Sequence, residues 1–493
     1  MKKRKAAIAV PSFCDFYATP HRLSALGSII VERMLQDRGW ETHLSQFPLT
    51  TKQSHALPSS FSHLKPCLLS NEYGPTAFFS GFHRFGPSPG QCAHLIGAQN
   101  PDAVFLSCFA FAYAGDTVAL ARHIKKLRSS LPVYVGGAGV SVLPEYFRSQ
   151  ACIDAVIEGQ AEYTLANFLS SGKTNGPANG EAASRSVQPR VAVAARRSHK
   201  NVLWLTTSLS RGCPRKCSFC ANHLTQGRQF RTIALSDFVH ELAAFPQDSP
   251  VHMNFEDDNI LMDREFFIET LAVVKQMFPQ VSFSAENGID YNLLGRNTLD
   301  RLIDYGFKQF NLSMASCSPE ILKDAQRHGD LQHLQAILKR LNQRNIPAIV
   351  YFICGLKSDT VETVIENLIF LYRQTVRVGI SLFYPVPGLP GFEDPHTFLN
   401  ADSHLCTGSA AFPWTGSLTT SQMVTAFRLA RYINFVKNRR HTISERELLT
   451  RIQLENKLYT FQHANNGRRI VRPPGLDQDM ERLFFETISS SKI

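Results

Sequence analysis

The sequence predicts an α/β protein: an open parallel sheet, a linker, a partial (β/α)6 barrel and a helix-rich C-terminal region. Three observations carry this. Short, continuously apolar runs alternate with amphipathic stretches through residues 1–170 and again through 201–395, the pattern of parallel strands covered on both faces. Between them, over 171–200, the composition turns to Gly, Ser, Ala and Asn, as in Ser170-Ser-Gly-Lys-Thr-Asn-Gly176, and reads as a flexible linker. Immediately behind the first apolar run of the second unit stand three closely spaced cysteines, Arg211-Gly-Cys-Pro-Arg-Lys-Cys-Ser-Phe-Cys220.

In the first unit, Ile8–Val10 is a short buried strand. Leu23, Leu26, Ile29, Ile30 and Met34 follow at helical spacing and stop near Gly39. Residues 45–95 are less regular. Ala103–Ser107, Val133–Val135 and Asp154–Ile157 are further strands, and Thr117–Leu127 has helical periodicity. In the second unit the strands are Val202–Leu205, His252–Phe255, Val281–Ser284, Gln309–Ser313, Ala348–Ile353 and Gly379–Phe383. Helices such as Arg264–Met277 and Ser318–His328 fill the gaps. Barrels carry their chemistry on loops at the C-terminal ends of the strands, and the polar motifs fall there. Residues 396–493 show little strand signal; Ser421–Lys437 is a good amphipathic helix.

Composition narrows the function. The chain has 493 residues, room for two or three domains. No run approaches the roughly 20 apolar residues of a membrane span. The apolar stretch after Lys2–Lys5 ends at Pro11, too short for a secretory signal core, and reads as the first strand. Eleven cysteines are too dilute for a disulfide scaffold and favour a reducing compartment, the cytoplasm. The formal charge is +11, but the basic residues are scattered without an aromatic-interleaved stripe, so a solvated basic surface is expected and no nucleic-acid partner.

The cysteine spacing is C-x3-C-x2-C, with no fourth cysteine at ligand distance. A closed zinc site wants four protein ligands, and so does an all-cysteine iron–sulfur cluster. Three thiolates on a [4Fe–4S] cube leave one iron open. His223, three residues beyond Cys220, keeps a zinc knuckle in view as the alternative.

This spacing, with Phe219 just before the third cysteine, closely resembles the radical S-adenosylmethionine (radical SAM) superfamily. The resemblance implies a [4Fe–4S] cluster on Cys213, Cys217 and Cys220. It implies S-adenosylmethionine chelating the open iron beside Phe219, and a 5′-deoxyadenosyl radical as the reactive species. Asn254-Phe-Glu-Asp-Asp-Asn259 lies where the family holds the methionyl ammonium, so Glu256, Asp257 and Asp258 are unranked ligands of S-adenosylmethionine. Glu286, in Glu286-Asn287-Gly288, is implied as a substrate contact. Ser313 and Ser316 are implied near the ribose or substrate, and Gly355 near the adenine. Tyr384-Pro-Val-Pro-Gly-Leu-Pro-Gly391 resembles a Pro-x-Pro-Gly-Thr-Pro segment of the subgroup that carries a cobalamin domain, with Leu389 replacing threonine. Cys317 and Cys354 read as small buried hydrophobes, with a catalytic thiol as the alternative. No catalytic residue is singled out.

The first unit resembles the Rossmann-like cobalamin-binding domain found upstream of many radical SAM domains. Ser107-Cys-Phe109 and Gly136-Gly137 end successive strands, the general ligand position of open α/β sheets, and imply Ser107, Gly136 and Gly137 as cobalamin contacts. Val156–Glu162 resembles the segment that closes this domain. The Asp-x-His-x-x-Gly motif is absent; His21 occupies the right loop at the wrong spacing. Together these imply a cobalamin-dependent radical SAM enzyme, in the first place a methyltransferase acting on carbon of a small molecule, served by an electron donor such as flavodoxin or ferredoxin. The alternatives are cyclisation or rearrangement with the same cofactors, a methylthiotransferase acting on RNA or protein with a second cluster on N-terminal cysteines, and a non-enzymatic iron–sulfur sensor. The C-terminal helices are expected to cover the barrel mouth, with Arg431, Tyr432 and Phe435 lining a pocket or packing.

Overall fold

The computed structural model describes residues 3–16, 24–79, 81–172, 188–198, 201–438 and 442–490. His21 and residues 173–187 of the linker lie outside them.

The first unit is a five-stranded parallel sheet. Its spatial order is Glu41–Gln46, Lys5–Val10, Ala103–Ser107, Val133–Gly136, Ala155–Ile157. The chain thus winds outward in both directions from Lys5–Val10, and a ligand crevice opens where the order reverses, outside the carboxyl ends of that strand and Ala103–Ser107. Strand periodicity divides the side chains between two cores. Ala7, Ala9, Val104 and Leu106 pack with helix Ala114–Leu127. Ala6, Ile8, Ala103 and Phe105 pack with helices Leu26–Gln36 and Ala161–Ser171. The edge strand Glu41–Gln46 is a departure from the expected reading. Its polar sequence has no buried residue, so it carries no apolar signal.

The second unit is a partial barrel of six parallel strands in sequence order. Leu203–Thr207, Val251–Phe255 and Val281–Ser284 form one stretch; Phe310–Ala315, Ala348–Cys354 and Arg377–Leu382 form the other. The parallel bridges Phe283–Phe307 and Ile289–Leu312 join them. The expected linker is shorter than its composition suggested. Val193–Arg197 forms an antiparallel strand along Leu203–Thr207, because Val191, Ala192 and Val193 are apolar and buried and cover what would otherwise be a sheet edge. The expected helix Ser318–His328 is also cut short. Ser318 caps Pro319–Asp324, and Gln326 then takes φ +48°, which turns the chain inward at Arg327.

The C-terminal region is mostly helical, as expected, with helices Thr420–Lys437, Ile443–Glu455 and Gln478–Ser490. It also contains a hairpin, Thr460–Ala464 with Gly467–Val471, whose first strand pairs with Glu72–Tyr73. Gly467 at φ +102° supplies the turn conformation that side chains resist. Helix Thr420–Lys437 shares one hydrophobic core with the barrel through Met423, Val424, Leu429 and Ile433. Arg428 of that helix is fully buried and forms a bidentate pair with Glu72.

Candidate active site

The cysteine loop leaves the end of strand Leu203–Thr207 and folds back on Arg231–Thr232. Gly212 sits at the crossing with φ +85°, and a Cβ there would lie 2.2 Å from the Gln229 carbonyl, so only glycine fits. Two carboxylates from the end of the neighbouring strand brace the loop. Asp257 accepts from the Leu209 N–H at 3.0 Å and from the Ser210 hydroxyl. Asp258 accepts from the Gly212 N–H at 3.0 Å. Burial raises the Asp257 pKa to about 6, against the lowering effect of these donors, and pushes Asp258 up as well.

The three cysteines line one cavity of about 410 Å³ at the barrel mouth. Burial pushes the Cys213 thiol up. Cys220 stands at the outer edge, yet its thiol is also raised, to about 11, first by desolvation and then by Cys217, Asp258 and Cys213. Thiols raised in this way ionise only with positive charge supplied, as iron supplies it. Two side chains are turned toward the sulfurs. Asn259 Nδ2 lies 3.9 Å from Cys213 Sγ, and Arg327 Nη1 lies 3.9 Å from Cys217 Sγ. Among the described residues the Asn259 Oδ1 and Arg327 Nε atoms are buried without a protein partner. Among the described residues no three His, Cys, Asp or Glu side chains converge on a single-ion site; a cluster bound at three separate irons does not ask this of its thiolates. A sulfide-rich cluster with a polar ligand therefore fits the residues present.

The sequence-derived residues divide sharply. Phe219, Asp258, Glu286 and Ser313 line the cysteine cavity. Glu256 does not: it lines the neighbouring cavity, where its Oε2 accepts from Ser24 Oγ at 2.7 Å. Asp257 lines neither cavity and serves the loop backbone. Gly355 also stands away from both. At φ +98° its Cβ position faces Met423 of the C-terminal helix, and its N–H donates to Asp359 at 2.8 Å. Ser316 is fully buried and accepts from Ser318 N and Asn367 Nδ2. Burial raises the Cys317 thiol to about 12 and the Cys354 thiol well above its usual range; Cys354 is fully buried, as its reading as a small hydrophobe expects, whereas Cys317 is half-buried. His223 Nδ1 meets the Cys220 carbonyl at 3.1 Å. Arg431 Nε donates to the Pro75 carbonyl, and Tyr432 packs on Phe484 and Phe485; these tail residues pack.

Sequence reasoning missed Arg327, Asp290, Arg215 and Asn259. Asp290, whose side chain is only 4% exposed, bridges Arg215 at 3.0 Å and Arg327 at 3.1 Å. Nothing in spacing joins these positions; the fold does.

The second cavity, of about 370 Å³, opens at the carboxyl ends of the first sheet and is closed on its far side by the barrel. Ser107, Gly136 and Gly137 line it, with Arg211, Glu256 and Asp258 opposite. Gly137 takes φ +109°, and a Cβ there would meet the Cys108 carbonyl at 2.5 Å. The two strand-end turns can therefore touch only as bare backbone. Leu49 and Phe109 line the same cavity and remain 41% and 38% exposed. Large apolar side chains left open in a crevice mark a ligand surface, and a corrin ring fits that description. Asp258 lines both cavities.

The fold and site thus define an α/β protein with a thiolate loop at a barrel mouth and a nucleotide-type crevice facing it. The B12 binding domain family matches residues 87–169, and the Radical SAM superfamily matches residues 207–371. The chain thus carries a B12-binding domain followed by a radical SAM domain. It is 27% identical over 191 residues to a bacteriochlorophyllide d C-12(1)-methyltransferase of Chlorobaculum tepidum, covering 38% of this chain and 41% of that protein. It is 24% identical over 322 residues to an uncharacterized methyltransferase of Pyrococcus horikoshii, covering 60% of this chain and 70% of that protein. The chain therefore spans less than half the length of the first relative. Its fold resembles TsrM, a radical S-adenosylmethionine methyltransferase from Kitasatospora setae solved with cobalamin and a [4Fe–4S] cluster. The TM-score is 0.58 at 16% identity, over 79% of this chain and 77% of that one. It also resembles the cobalamin-dependent enzyme OxsB, with a TM-score of 0.50 at 13% identity, over 82% of this chain and 56% of that one. Among the described residues no helix is long and apolar enough to cross a membrane.

Proposed function

We propose that the protein is a cobalamin-dependent radical SAM methyltransferase acting on an unactivated carbon of a small molecule. The observation that supports this reading is the wall shared by the two cavities: Asp258 faces the cysteines on one side and the strand ends of the first sheet on the other. Bound there, the cluster with S-adenosylmethionine supplies hydrogen-atom abstraction, and cobalamin supplies a methyl group.

The chain's own residues bind and orient. Cys213, Cys217 and Cys220 hold the cluster, and Asp257 and Asp258 fix their loop through backbone N–H groups. Phe219, Asp258 and Ser313 are the contacts for S-adenosylmethionine. Glu286 is the substrate contact. Ser107, Gly136 and Gly137, with the apolar faces of Leu49 and Phe109, receive the corrinoid. Glu256 joins this second set. The eleven cysteines are all free thiols, in keeping with a cytoplasmic location and an acidic one-electron donor such as flavodoxin or ferredoxin.

The test needs no knowledge of the substrate. Anaerobically reconstituted protein, with its corrinoid reduced by titanium(III) citrate, is given methyl-deuterated S-adenosylmethionine. Label on the protein-bound corrinoid is expected, together with 5′-deoxyadenosine once the cluster is reduced. 5′-Deoxyadenosine without corrinoid label would reject methyl transfer in favour of cyclisation or rearrangement.

A further inference from the structure

We infer that Arg327 is a positioning residue that sets the reduction potential of the cluster through Cys217. The inference rests on the cysteine loop holding a [4Fe–4S] cluster and is independent of methyl transfer.

Arg327 comes from the turn after helix Pro319–Asp324, far from the cysteines in sequence. Its side chain is 11% exposed. Three contacts hold the guanidinium. Nη2 donates to Asp290 Oδ1 at 3.1 Å and to the Ser313 carbonyl at 3.3 Å, while Nη1 points to Cys217 Sγ at 3.9 Å. Asp290 is itself fixed, accepting from Arg215 and from Asn292 Nδ2 at 2.9 Å. The loop is also tied back to the cysteines: Ser218 N–H donates to the Ala325 carbonyl at 3.0 Å. The sharp turn at Gln326 that shortens the preceding helix delivers this arginine. A local backbone cost is thus met by tertiary contacts.

A fixed cation that donates toward a thiolate ligand stabilises the more negative, reduced cluster and raises its potential. The step concerned is uptake of one electron from an external donor, with no proton and no bond change at Arg327. Of the three thiolates, Cys217 is the buried one, and a charge beside it is least screened by water.

The experiment is an EPR-monitored potentiometric titration of full-length, anaerobically reconstituted protein. R327Q is expected to weaken the preference for the reduced cluster about tenfold, a midpoint lower by about 59 mV for one electron. R327K, which keeps the charge without the fork, should fall between R327Q and wild type. A fully loaded R327Q with the wild-type midpoint would overturn the inference. So would loss of the cluster from R327Q together with an unshifted midpoint in R327K, since Arg327 would then serve only loop assembly. Absence of any cluster signal in the wild-type protein would instead reject the reading of the cysteines.

Discussion

His404 offers the sharpest test of how the regions are joined. Its ring is held between two carboxylates: Nε2 lies 2.8 Å from Asp116 Oδ2 on the first-unit helix, and Nδ1 lies 2.8 Å from Asp402 Oδ1. Ser60 donates to the other Asp402 oxygen at 2.6 Å. Burial alone would lower the histidine pKa; the two aspartates raise it to about 10, and Asp402 falls to about 2. The rise from 6.5 to about 10 corresponds to roughly 4–5 kcal/mol at about 1.36 kcal/mol per pKa unit. That figure describes the same contacts as the Asp402 shift and is not added to it. It agrees with the ~3–5 kcal/mol lost when one member of a buried ion pair is removed. The signs follow from linkage. A histidine raised on folding stabilises fully below about pH 6.5 and loses this as pH climbs through about 10. An aspartate lowered on folding stabilises above about pH 4 and loses this as pH falls through about 2. Urea midpoints of the wild type should therefore be flat from about pH 4 to 6.5 and fall toward pH 10. His404→Gln should cost about 3–5 kcal/mol at pH 6 and flatten the alkaline slope. Trp414, whose indole N–H donates to the Leu405 carbonyl at 3.0 Å, gives a fluorescence signal from the same segment. A wild-type midpoint unchanged between pH 6.5 and 10, or a variant as stable as wild type at pH 6, would refute the reasoning.

Two further outcomes are expected. Arg428→Met leaves Glu72 buried and unpaired and should lower stability by about 3–5 kcal/mol, whereas the Arg428→Met, Glu72→Leu double variant should recover most of it; urea denaturation of the three proteins compares them. Gly288→Ala forces a side chain onto φ +104° with its Cβ 2.6 Å from Ser313 Oγ, a strain of about 1–3 kcal/mol. Because Gly288 lines the cysteine cavity, S-adenosylmethionine affinity measured by equilibrium dialysis should weaken while iron content stays unchanged.

What could be read from the chain was whatever local chemistry dictates. The cysteine run stands out by its spacing alone, and all six barrel strands were legible as short apolar runs. The strand Val193–Arg197 was hidden because its Arg196 and Arg197 lie on an edge, where polar residues are tolerated, and its neighbours have linker composition. Glu256, Asp257 and Asp258 could not be ranked because they are consecutive. Where the strand Val251–Phe255 ends, Glu256 turns to the crevice of the first sheet, Asp257 to the loop beneath the cysteines, and Asp258 to the wall between the two cavities. Arg327 and Asp290 lie 37 positions apart with no shared motif, and only closure of the barrel brings them to Cys217. Gly355 matched its expected strand end, but the helix Thr420–Lys437 covers that side with Met423.

The pairing of Glu72–Tyr73 with the hairpin strand Thr460–Ala464 has a consequence for biogenesis. Thr460 Oγ1 donates to the Tyr73 carbonyl across 387 residues. At about 5–20 residues per second, a ribosome takes roughly 20–80 s to travel that far. Throughout that interval the early segment waits with its strand edge unpaired, until translation delivers the other half.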